Sequence, residues 1–162
     1  MNQISVKLNF QIKTYDIDIA GHVNNNVYIK WFEDLRTKLF NEYFNLPELL
    51  SKNIYPVVVS TEIHYKKFLK LFDKPIGVLC IEYCDHGIIT LKSEIRLNGK
   101  IAAGGKQKCA LFDLNKSKVV NGKSFQKLIG QDVGLITSNR VDYKIVSVDS
   151  IERSFSKSDS MT

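Results

Sequence analysis

Long apolar runs are missing from this chain of 162 residues, and no stretch approaches the eighteen or so that a membrane-spanning helix needs. The first ten residues, MNQISVKLNF, also lack the apolar core of a signal peptide, so a cytoplasmic protein without a membrane partner is expected. Cysteine is scarce: Cys80, Cys84 and Cys109 make no C-x-x-C or other metal spacing, and an odd count argues against a disulfide framework. Cys80 and Cys84 are expected on one face of one strand, two residue pairs apart and too far to bridge, which makes all three buried reduced thiols. None has a histidine in a turn-like setting that would make it a nucleophile. Histidine is scarce too, and no third ligand accompanies His22, His64 or His86 at metal spacing. Neither a metal nor another cofactor is expected. The pair Gly104-Gly105 is followed by no phosphate-loop spacing and no helix, so it reads as a bulge in a bent strand.

What is present is ordinary for one globular domain, with 44% hydrophobic and 25% charged residues. The formal charge is +6, but the lysines are spread along the chain and no nucleic-acid module appears, so no nucleic-acid partner is expected. The local exception is HYKKFLKLFDK, residues 64–74, with Lys66, Lys67 and Lys70. These lysines are either a solvated strand end or, with Lys67 foremost, a seat for the phosphates of an anionic substrate such as coenzyme A.

The strongest periodicity lies between residues 27 and 44. Val27, Tyr28, Trp31, Phe32, Leu35, Leu39, Phe40, Tyr43 and Phe44 recur at helical spacing, with Lys30, Glu33, Asp34, Thr37, Lys38 and Asn41 opposite. Asn24, Asn25 and Asn26 are candidate caps for this helix, and Asp34 and Lys38 stand at i,i+4. Its first turn offers unpaired amides and the positive end of a dipole, a fit for an oxyanion or a polarised carbonyl.

Alternating residues predict a strand from Ile4 to Thr14, and Asn45-Leu46-Pro47-Glu48 starts a short helical turn with proline near its first position. Further strands are expected from Pro56 to Tyr65, Ile76 to Cys84, Ile88 to Leu97 and Ile101 to Phe112. Asp85-His86-Gly87 and Asn98-Gly99 supply the tight connections. This order of strand, long helix and four-strand meander is α+β: a curved antiparallel sheet of about five strands around one central helix. The chain after residue 122 reads as an extension: a short helix from Lys123 to Gly130, a possible strand from Val141 to Val148, and a polar tail.

The run DIDIAGHVNN at residues 16–25, with Tyr28 three residues on and Glu33-Asp34-Leu35-Arg36 in the helix, resembles the signature of hotdog-fold acyl-CoA thioesterases of the 4-hydroxybenzoyl-CoA thioesterase type. The resemblance is specific over roughly the first forty residues and consistent to about residue 115. It implies a hotdog domain over residues 1–122, with residues 123–162 outside it, and sites built between two protomers of a homodimer or homotetramer. It implies that Asp18 is the catalytic carboxylate, as nucleophile or as base. It also implies that the backbone amide of Asn25 points at the thioester carbonyl.

His22 could orient water, assist Asp18 or bond that carbonyl. The form GHVNN is similar to plant acyl-carrier-protein thioesterases, although Ala20 stands where that branch has asparagine. Tyr28 and Trp31 could line the acyl pocket or pack in the core, with Tyr28 the foremost candidate for the pocket, and Asp16 is expected to be structural. The expected activity is hydrolysis of acyl-CoA. A carrier-protein thioesterase and a non-catalytic acyl-binding module are the alternatives.

Overall fold

The computed structural model describes residues 3–128. The long helix, α1 (Asn25–Phe44), is the axis of the fold, and it buries Val27, Tyr28, Trp31, Phe32, Leu35, Leu39, Phe40 and Phe44. Asn24 is its N-cap. Asn45 ends it with a left-handed φ of 49° and donates its amide to the Phe40 carbonyl. On its solvated face Lys38 pairs with Glu42 at 2.5 Å, one turn onward, in place of the expected partner Asp34.

A short helix, α2 (Leu46–Ser51), follows, and then the strands β2 (Ile54–Tyr65), β3 (Ile76–Asp85), β4 (Ile88–Leu97), β5 (Lys100–Asp113) and the two-residue β6 (Lys118–Val119). With β1 (Ser5–Asn9) they form one antiparallel sheet in the order β1-β3-β4-β5-β2, with β6 on β5. The sheet wraps one side of α1, the α+β architecture expected from the sequence. The meander has three strands rather than four, because β2 lies at the far edge against β5 and its connection to β3 crosses the end of the sheet where α1 begins.

Two glycines let helix and sheet approach. A side-chain carbon on Gly77 would lie 2.9 Å from Leu35, and one on Gly105 would lie 2.8 Å from Phe32. Gly105 is therefore a contact point rather than a bulge. The bulge in β5 falls at Ala102, where the register with β4 shifts between Ile95 and Arg96.

Two other expectations are revised. The ladder of β1 ends at Asn9 because the next acceptor, the Pro75 carbonyl, belongs to a residue with no amide to return. A register shift between Ile81 and Tyr83 inverts the alternation of β3, so Cys80 faces away from the main core while Cys84 faces into it. A helix over residues 122–128 packs Phe125 and Leu128 on that core, whereas the strand expected from Val141 to Val148 and the polar tail lie outside the described residues.

Candidate active site

Between Asp16 and Asn24 the chain folds back on itself. The Asn24 amide donates to the Asp16 carbonyl at 2.8 Å, the Asp18 amide donates to the His22 carbonyl at 2.8 Å, and a bridge joins Ile17 and Val23 between them. The Gly21 amide closes the turn on the Asp18 carbonyl at 3.0 Å with a φ of 78°, where a side chain would be strained. The Asp18 carboxylate folds over this turn, and its Oδ1 accepts from the Ala20 amide at 2.9 Å and from the His22 amide at 3.4 Å. No bond within the described residues engages Oδ2. Asp16 serves the turn from behind, buried and accepting from the Lys13 amide at 2.8 Å.

Two rungs beyond Asp18 the helix begins. Asn24 accepts the Asn26 amide on its side chain at 2.9 Å and the Val27 amide on its carbonyl at 2.9 Å. The amide of Asn25, in an exposed residue at the positive end of a twenty-residue helix, is the donor of this turn that meets no acceptor among the described residues.

Behind the helix start stands a run of aromatic rings. Phe10 stacks on Trp31 at 4.9 Å, Trp31 meets Tyr28 edge-on at 5.3 Å, and Tyr28 meets Tyr65 edge-on at 5.2 Å. Burial pushes the Tyr28 hydroxyl up to about 12, helped by Tyr65 and Asp73, so it stays protonated. The Tyr65 hydroxyl donates to the Asn25 carbonyl at 3.2 Å and so reaches the first residue of the helix.

The loop after β2 closes the near side. Lys66 and Lys67 both donate their amides to the Ala102 carbonyl, at 2.8 and 2.9 Å, on the bulge of β5. Leu69 is fully buried and accepts the Val23 amide at 2.8 Å. Held at both ends, the loop lays the Phe68 ring flat on His22, with centroids 4.2 Å apart and planes within 5°.

The structure thus brings Asp18, His22 and the Asn25 amide to one mouth, with exposed Lys67 on its rim and Tyr28 behind it. Nothing in the sequence assigns Tyr65 and Phe68 to this site. Their signal was the spacing of aromatics among the lysines of HYKKFLKLF, which does not say which rings turn inward. His64 and His86 are exposed and pair with Glu62 at 2.7 Å and with Asp85 at 2.6 Å. Among the described residues no group of three His, Cys, Asp or Glu could hold a metal, and no helix is long and apolar enough to cross a membrane.

The model of the thioesterase-like superfamily matches residues 12–129. No curated protein sequence matches the chain. Among solved structures, gentisyl-coenzyme A thioesterase BH1999 is similar at TM-score 0.67 and 24% identity, covering 74% of this chain and 98% of its own. YbaW, a probable thioesterase from Escherichia coli, is similar at TM-score 0.66 and 20% identity, covering 78% and 99%. A Thermus thermophilus thioesterase complexed with coenzyme A and zinc is similar at TM-score 0.66 and 20% identity, covering 77% and 97%. At such identities these likenesses establish the shared fold.

Proposed function

We propose that this chain, which belongs to the thioesterase-like superfamily, hydrolyses acyl-coenzyme A to free acid and coenzyme A at the turn between Asp18 and Asn25. The observation that carries this reading is the pairing of an unengaged carboxylate oxygen on Asp18 with the free amide of Asn25, two rungs apart at a helix N-terminus. A thioester carbonyl polarised by that amide would gain negative charge on its oxygen as the acyl carbon is attacked, and the helix end favours that charge.

Asp18 then acts in one of two ways. Its Oδ2 attacks the acyl carbon, expels the coenzyme A thiolate and leaves a mixed anhydride that water opens, or it takes a proton from a water that attacks instead. In both routes the departing sulfur gains a proton and the acid is released. His22, stacked on Phe68, is fixed beside Asp18 and orients the water or bonds the carbonyl. Tyr28 and Tyr65 wall the acyl end, and Lys67 offers a cation to the phosphates of coenzyme A. A coenzyme A-bound protein among the similar folds supports that choice of carrier. We further propose that β2, whose outer edge is unpaired among the described residues, pairs with a second copy, so that the mouth lies between two protomers.

The test is thiol release from aliphatic and aromatic acyl-CoA and acyl-pantetheine esters by wild type and Asp18→Asn. Wild type is expected to hydrolyse the CoA esters, and the variant to lose about a hundredfold or more in kcat/KM. If no ester yields thiol, the CoA reading is wrong and carrier-protein thioesters become the substrates to try.

A further inference from the structure

Four large apolar side chains stand in water on the two loops that frame the mouth. Tyr15 is 82% exposed, Phe68 70%, Phe72 90%, and Ile19 is fully exposed. Ile19 crowns the turn from Asp18 to Gly21. Phe72 crowns another from Lys70 to Asp73, closed by the Asp73 amide on the Lys70 carbonyl at 3.0 Å and the Lys70 amide on the Asp73 carboxylate at 2.8 Å. The loops are fastened together by the Val23–Leu69 hydrogen bond and the His22–Phe68 stack. Exposed Lys66, Lys67, Lys70 and Lys74 interleave with the second loop's rings, and Asp73, its one carboxylate, is already engaged.

We propose that this rim attaches the protein to an anionic lipid bilayer, the aromatic and aliphatic tips entering the interface and the lysines meeting the headgroups. Aromatic rings beside lysines suit that boundary, where an apolar body is buried while a cation stays among phosphates. A second copy seated on the tips of the rim, as distinct from one paired along β2, would set lysines against lysines, with no free carboxylate in the second loop to offset them. A folded protein partner would need a separate hollow for each protruding tip, whereas a fluid interface accepts them in any arrangement. The attachment does not depend on the reaction proposed above, because it is read as binding.

Cosedimentation of the full chain with phosphatidylcholine vesicles, with and without phosphatidylglycerol, tests it. Pelleting is expected only with the anionic vesicles, weakening as salt is raised. It should fall about tenfold in Phe72→Ser and also in Lys74→Glu, two exposed positions whose exchange leaves the core intact. Absence of pelleting, or pelleting that neither variant changes, overturns the proposal. A lipid-free change of sedimentation coefficient in Phe72→Ser would give the rim to a second copy instead. Binding of an acidic acyl carrier protein that Phe72→Ser abolishes, without vesicle pelleting, would give it to a protein.

Discussion

Neighbouring glycines in β5 separate two roles that one residue type can play. A side chain at Gly105 would press on Phe32 and still more closely on the Glu62 carbonyl, which is backbone and cannot swing aside, whereas one at Gly104 would find nothing nearer than 3.8 Å. Gly105→Ala is therefore expected to cost about 1–3 kcal/mol in urea unfolding, and Gly104→Ala within about 0.5 kcal/mol of zero. Equal effects at the two positions would show that β5 yields as a unit. The sequence announced this pair but not its meaning, because whether a glycine admits a turn or a neighbour depends on what packs above it. The same limit applied at the mouth. Asp18, Gly21, His22 and Asn25 were legible because their chemistry is local to one turn, while Phe68 and Tyr65 arrive from forty or more residues away.

Among the elements, β4 keeps its predicted bounds, Ile88–Leu97, because two tight turns delimit it. β1 is shorter than its alternation because a strand lasts only as long as its partner can return hydrogen bonds, and Pro75 cannot. β2 is the exception in exposure. Twelve residues long, it leaves Val57, Val58 and Val59 38–60% exposed, and it has one sheet neighbour among the described residues, β5. An open, β-branched edge of this length is expected to be covered. Sedimentation should find wild type at twice the 18.5 kDa of the chain or more, and Val57→Lys with Val59→Lys shifted toward the monomer with slower thiol release. A wild type that sediments as a monomer would remove the second copy from the site.

At the scale of the molecule, the buried protons set an alkaline limit. Burial pushes the thiols of Cys80, Cys84 and Cys109 up to about 11, 12 and 11, against about 8.5 in an unfolded chain. The folded state thus holds these protons more tightly. Their contribution is fully present below the unfolded value and is lost as pH rises through the folded ones. Each thiol lowers stability by up to about 1.4 kcal/mol per pH unit in that window. Urea unfolding at about pH 8 and about pH 10 should show a clear fall, and an unchanged midpoint would mean that the thiols are wetter than their burial implies.

The sheet curves about α1 with register shifts in β2, β3 and β5. Each shift adds one residue to one strand, and the strand's alternation is inverted from there on. In β3 this places Cys80 outward and Cys84 inward. The strand can be regarded as a message read two letters at a time, with the irregularity beside Glu82 as a change of phase. Removing that single residue would transpose everything downstream to the wrong face, as a frameshift garbles the remainder of a gene. Insertions and deletions should therefore spare the bulges.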